Sequence, residues 1–166
     1  MSVLYFWFVW LHILAAFVFF FAHGTALAVA FLLPKQKEMN SMKALLDVTG
    51  ITIMPLGVSM LVILLTALYM AGSGSWWRTG WWWLSFLIFF FMIFWMTWYG
   101  RKMYSPIRKA LGMEYMTGFS KHNHAEEPIG MDEIQQLIAK TNPRLLMWVG
   151  LISTAVLLWL MRFKPF

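Results

Sequence analysis

The chain has no cysteine and few charged residues. The lack of cysteine among 166 residues excludes disulfides, thiolate metal sites, iron–sulfur clusters and thiol nucleophiles. Charged residues are 12% of the chain, about half the share usual in soluble domains. No nucleophile–base pair, no phosphate-binding loop and no carboxylate within a long apolar run appears. We therefore expect neither enzyme activity nor proton-driven transport.

Long hydrophobic runs take the place of the missing charges. Hydrophobic residues make up 61% of the chain, and four apolar segments cover more than half of it. Such segments predict an all-α membrane protein that forms a single four-helix transmembrane domain over 1–166. The predicted spanning helices lie at about 3–33, 48–71, 81–99 and 145–161.

The first apolar segment, 3–33, is 31 residues long and carries no charge. A helix of this length measures about 46 Å, so it must tilt in a ~30 Å hydrocarbon core or extend beyond it. No basic residue precedes the run, and the run is too long for a signal peptide, so we expect it to be retained.

The connections indicate the orientation in the membrane. Lysine and arginine number 10 in the first and third connections together, against 3 in the second connection and the carboxyl tail. The positive-inside tendency places the first and third connections in the cytoplasm and both termini outside. The basic residues behind the net charge of +6 thus set the orientation in the membrane and contact anionic lipid. We expect no nucleic-acid partner.

The third connection, 100–144, is the only polar segment of any size. Arg101 and Lys102 are predicted to end the third helix, and 106–112 predicts a short cytoplasmic amphipathic helix at the membrane surface. Residues 131–140 begin with acids and end with a base, which favours a second short helix.

Two local patterns concern helix packing. Ala22, Ala26 and Ala30 repeat every four residues and allow a close neighbouring helix. Pro55 predicts a kink in the second helix, either for packing or as an opened backbone beside a ligand.

The tryptophans at 76–77 and 81–83 are interpreted as anchors at the headgroup boundary.

Two histidines lie in the first apolar segment. His12 and His23 are 11 positions apart, on nearly the same helix face and about 16 Å apart in depth. An imidazole in hydrocarbon forms an interhelical hydrogen bond, ligates a tetrapyrrole metal or copper, or bonds a quinone. Because no other membrane segment contains histidine, a second tetrapyrrole ligand would be Met54, Met60 or Met70, come from another chain, or be absent.

A second histidine pair lies in the third connection. His122 and His124, with Glu126 and Glu127 nearby, predict a zinc or copper site, with a solvated polar loop as the alternative. The 14 methionines would suit Cu(I), but their distribution favours their role as fillers of apolar packing.

A resemblance to known membrane proteins rests on three stretches: LHILAAFVFFFAHGTALAVAF at 11–31, KALLDVTG at 43–50 and WVGLISTAVLLWLMRFKPF at 148–166. They resemble a family of small bacterial four-helix integral membrane proteins of unknown function. That family is distantly similar to the membrane part of copper resistance protein D and to a haem-linked membrane oxidase family. The resemblance implies a four-helix bundle with His12 and His23 as its distinctive polar groups, and supplies no reaction.

Three functional hypotheses remain. The first is a non-catalytic accessory or structural subunit of a larger bacterial membrane complex, in contact with lipid and other membrane subunits. The alternative is an electron-transfer or pigment protein that binds haem b or a chlorophyll-type tetrapyrrole through His12 and His23. A second alternative is copper handling.

Overall fold

The computed structural model describes residues 2–117, 120–122 and 127–166. This part of the chain contains five α-helices: α1 Val3–Leu32, α2 Met39–Gly74, α3 Gly80–Ala110, α4 Met131–Ala139 and α5 Pro143–Phe163. Strands β1 Tyr115–Thr117 and β2 Ser120–His122 form an antiparallel hairpin between α3 and α4. Four helices are long and apolar enough to span a membrane, which confirms the predicted all-α membrane fold.

The four long helices form two antiparallel pairs. In the first pair, Phe8 of α1 stacks on Tyr69 of α2 with ring centroids 3.8 Å apart. In the second pair, the hydroxyl of Tyr99 on α3 donates to the carbonyl of Asn142, just before α5, at 3.2 Å. The pairs meet where the Tyr104 hydroxyl of α3 donates to the carbonyl of Ala26 on α1, at 3.2 Å. The bundle therefore has two ends, each built from all four long helices.

Ala22 and Ala30 of α1 are buried, and the hydroxyl of Tyr104 on α3 reaches the α1 backbone at Ala26, between them. This contact is made by a long side chain, and α1 packs mainly against α2. The close neighbouring helix that the alanine repeat predicts stays a prediction.

One end of the bundle, which we name the capped end, is closed by α4 and the start of α2. Its buried core consists of Leu33, Met42, Leu46, Ile107, Ala110, Leu111, Ile134 and Ile138. Arg108 ties this core to the backbone of α2 and of the segment after α3, donating from Nη1 to the Leu46 carbonyl at 3.1 Å and from Nε to the Glu114 carbonyl at 2.7 Å.

Two helices are longer than the sequence predicts, and the capped end explains both. Helix α2 begins at Met39 rather than 48, because Met42 and Leu46 supply buried side chains to this core. Helix α3 continues past 99 to Ala110, so Arg101 and Lys102 do not end it.

The predicted separate helix at 106–112 is wrong. Pro106 lies inside α3, and Ile107 and Ala110 face the buried core rather than a membrane surface. The predicted helix at 131–140 is confirmed as α4, which buries Ile134 and Ile138. Helix α2 also continues through Pro55, whose predicted kink stays a prediction.

The opposite end, which we name the tryptophan end, is made by the start of α1, the end of α2, the start of α3 and the end of α5. Trp81 and Trp82 are buried here together with Ala71 and Leu160. The backbone N–H of Trp81 donates to the carbonyl of Phe166 at 3.1 Å, so the residues after α5 fold over the first turn of α3. This contact satisfies one of the free N–H groups that every helix start presents.

Candidate functional site

A cavity of about 370 Å³ lies at the tryptophan end, between the two helix pairs. All four long helices contribute to its walls, and most of the lining is apolar or aromatic. The polar side chains that line it include His12 of α1, Ser85 of α3 and Lys164 after α5. A mainly apolar cavity with a few convergent polar groups is the usual form of a ligand site.

His12 is held by a hydrogen bond to the neighbouring helix. Its Nδ1 lies 2.8 Å from Oγ1 of Thr66 on α2. That same hydroxyl lies 2.6 Å from the Val62 carbonyl and 3.0 Å from the Ile63 carbonyl, one turn earlier in α2. A hydroxyl has one proton to donate, and two carbonyl oxygens compete for it.

These contacts assign the state of the imidazole ring. Because the Thr66 hydroxyl donates to its own helix, it accepts from His12, and Nδ1 carries the proton. In a neutral ring with this tautomer, the lone pair lies on Nε2. A histidine that donates one N–H to a neighbouring group and offers the other nitrogen is the usual metal-ligating arrangement. The same Nε2 can instead accept a hydrogen bond.

Aromatic rings form the cavity walls near His12. The rings of Trp76 and Trp81 lie 5.2 Å apart, and Trp82 stacks on Phe86 at 5.1 Å. All four side chains line the cavity, and Trp81 and Trp82 are each 5% exposed. At least these two tryptophans are packed inside the protein and are more than headgroup anchors.

Two methionines also line the cavity. Met70 of α2 is one of the three residues that the sequence nominates as a second tetrapyrrole ligand, and it lies in the wall. Met161 of α5 is a second sulfur that the sequence analysis did not nominate. Met54 lies elsewhere, in a shallow groove on the face of the α1–α2 pair.

His23 occupies a different environment. Its ring stacks on Phe19 of its own helix with centroids 6.0 Å apart, and Nε2 would lie 3.2 Å from a Cβ placed on Gly150 of α5. The Met96 methyl would lie 2.9 Å from the same point. No hydrogen bond to His23 is found within the described ranges. The structure therefore places His12 in the cavity and His23 against the backbone of α5.

The predicted metal pair of the third connection stays a prediction. His122 is the last residue of β2, and His124 and Glu126 lie outside the described residues. Within 2–117, 120–122 and 127–166, no three histidine or acidic residues come together in a way that could hold a metal ion.

Sequence reasoning missed Thr66 and Lys164 as members of the site. A threonine in an apolar run usually bonds its own helix and gives no further signal, so its pairing with His12 depends on how α1 and α2 align. Lys164 resembles an ordinary basic tail residue until the chain after α5 is seen to fold over α3.

Comparison of the chain with protein-family models, with curated proteins and with solved structures gives no significant match. The resemblance described from the sequence therefore stays a prediction.

Proposed function

We propose that this protein is an integral membrane protein that binds a tetrapyrrole in the cavity of the tryptophan end, with His12 as the ligand to the central metal. The observation that carries the proposal is the His12–Thr66 hydrogen bond, which reserves Nε2 for a ligand. The proposal narrows the two-histidine hypothesis to a single histidine, because His23 does not line this cavity.

The volume of the cavity and the side chains that line it support such a group. A volume of about 370 Å³ falls within the range of cofactor sites. His12 would hold the metal of such a group through its imidazole, and Met70 would offer a sulfur from the wall of the same cavity. When bound, the group would supply electron transfer or light absorption.

The side chains around His12 have separate roles in this proposal. Thr66 fixes the orientation of the imidazole and keeps the proton on Nδ1. Trp81, Trp82 and Phe86 offer flat apolar surface in the wall of the same cavity. A site built from rigid helices in this way is organised before the ligand arrives.

Titration of the purified chain with haem tests the proposal. We expect a shifted Soret band that saturates at one haem per chain, because one histidine with a free Nε2 lines the cavity. His12→Ala should weaken binding at least tenfold, because it removes the nitrogen that would hold the central metal. His23→Ala is the matched control, because it removes an imidazole from the same helix outside the cavity.

The fold of each variant is checked by its far-ultraviolet circular dichroism. Equal affinity of the native chain and the His12→Ala variant would contradict the proposal, as would a native chain that leaves the haem spectrum unchanged. His12→Gln provides a second variant that keeps a polar side chain at the helix contact.

A second candidate function is that of an accessory subunit in a larger membrane complex. It is favoured by a shallow apolar groove of about 390 Å³ on the face of the α1–α2 pair. Small residues Ala15 and Ser59 line this groove, and small residues let a neighbouring transmembrane helix approach closely. Gentle purification from the native membrane separates the two functions, since a subunit would bring colourless larger partners with it.

A further inference from the structure

Lys164 lies directly after α5 and lines the cavity. Its ammonium is 4.3 Å from the ring centre of Trp76 and 5.5 Å from that of Trp81, within the range of cation–π attraction. The same two rings line the cavity, so the charge lies at its wall.

The backbone around Lys164 is fixed in an uncommon conformation. Its φ is 45°, in the left-handed region, and its N–H donates to the Leu160 carbonyl at 2.9 Å. A non-glycine residue seldom adopts this conformation unless the surrounding structure imposes it. The contact between Trp81 N–H and the Phe166 carbonyl holds the following residues in place. The lysine is thus positioned by a folded segment.

No acidic side chain is available to neutralise this charge. The sequence contains no aspartate or glutamate between 48 and 113 or after 133, so the tryptophan end is built from basic and neutral residues. Lys164 has no carboxylate partner in the part of the chain that the structure describes. Lys164 is exposed, so water reaches its ammonium. An apolar ligand that covered the ammonium would remove this water, which is costly unless the ligand supplies a counter-charge.

We infer that the ligand of this cavity is an amphipathic acid, with an apolar body beside His12 and a carboxylate bound to Lys164. The inference rests on the proposed function, since it concerns the same cavity. A carboxylated tetrapyrrole and a fatty acid from the bilayer both have this chemistry, an apolar body with a carboxylate. A neutral ligand of the same size would cover the ammonium without replacing the water that it loses.

The test uses the full chain in detergent and two pairs of probes. The first pair is haem and its dimethyl ester, followed by the Soret band. The second pair is dibromostearic acid and its methyl ester, followed by quenching of tryptophan fluorescence, because Trp76, Trp81 and Trp82 line the cavity. Each pair differs in the acid group alone.

The variants separate a specific contact from general charge. Lys164→Met removes the cation of the cavity. Arg162→Met is the matched control, because Arg162 lies at the same end over the Phe163 ring, 5.9 Å away, and does not line the cavity. Lys164→Arg keeps the charge and checks that a loss in Lys164→Met is not a folding defect.

We expect the acid to bind at least tenfold more tightly than its ester in the native chain, in Arg162→Met and in Lys164→Arg. Lys164→Met should remove this preference. Equal binding of acid and ester by the native chain, or a preference that persists in Lys164→Met, would overturn the inference.

The two proposals fail in different ways. If the acyl acid binds with the expected preference and neither porphyrin binds, the tetrapyrrole proposal fails and the inference stands. If haem and its ester bind equally through His12, the inference fails and the proposed function stands. If no probe binds, both are overturned.

Discussion

The two ends of this bundle use similar apolar side chains in opposite ways. At the capped end, Met42, Leu46, Leu111 and Ile134 are completely buried, each with 0% exposure, in a core closed by the short helix α4. At the tryptophan end, larger rings surround a cavity of about 370 Å³. The side chains of the capped end are closely packed, whereas those of the tryptophan end leave a space between them.

This difference in packing indicates that the capped end stabilises the fold and that the tryptophan end binds a ligand. Tightly packed apolar side chains each contribute a few kcal/mol to folding, whereas a cavity forgoes such contacts. A mainly apolar cavity that lacks such contacts is typical of a ligand-binding site. We therefore expect substitutions at the capped end to change unfolding and substitutions at the tryptophan end to change ligand affinity.

The largest expected effect is at the capped end. Leu46→Ala should lower the free energy of unfolding by about 2–5 kcal/mol, because it leaves a void in a fully buried core. Ligand affinity should stay unchanged, since Leu46 is far along α2 from the cavity. Thermal unfolding in detergent, followed by circular dichroism, measures the first effect.

Leu65→Ala is the matched control for this substitution. Leu65 lies in the same helix but is 55% exposed, so the truncation leaves no internal void. Similar losses in Leu46→Ala and Leu65→Ala would show that the capped end is not a packed core.

The next largest effect tests whether the tryptophan end binds haem through His12. Thr66→Val removes the acceptor of His12 Nδ1–H and should weaken haem binding by about 10–100-fold, the usual effect of losing a partner of a ligating histidine. Ser59→Ala is the control, because Ser59 is a buried hydroxyl of α2 that bonds its own helix at the Leu56 carbonyl. An unchanged affinity of Thr66→Val for haem would show that Thr66 does not orient the imidazole of His12 for binding.

A smaller effect concerns His23, which lies between the two ends. Gly57→Ala, where a Cβ has open space, should stabilise α2 by about 0.5–1 kcal/mol. Gly150→Ala should gain less stability, because the new methyl meets the Met96 methyl and His23 Nε2, which must move aside. Chemical unfolding compares the two variants. An equal gain in both would show that α5 does not approach His23 closely.

The sequence predicts the membrane-spanning helices well and their ends less well. Hydrophobicity alone finds the spans, because hydrocarbon requires apolar helices. It fails at residues 39–47 and 100–110, where charged residues stand on one face and buried ones such as Met42 and Ile107 on the other. These segments continue the helices because α4 covers their apolar face, a contact that sequence periodicity does not reveal.

The candidate site is predicted only in part. His12 is recognisable because an imidazole in a long apolar run needs a partner. Its partner Thr66 and the cation Lys164 come from distant parts of the chain, and their position follows from the antiparallel alignment of α1 with α2 and of α3 with α5. His23 has the same sequence signal as His12, yet packing places it against Gly150 rather than in the cavity.

The central claim is that the cavity at the tryptophan end holds a tetrapyrrole on His12. The most direct measurement is the absorption spectrum of the protein purified gently from its native membrane, oxidised and then reduced, beside that of His12→Ala prepared in the same way. We predict a Soret band with reduced α and β bands, or a far-red band, in the native protein and its loss in His12→Ala. A native protein without visible absorption, or a band that survives in His12→Ala, would contradict the claim.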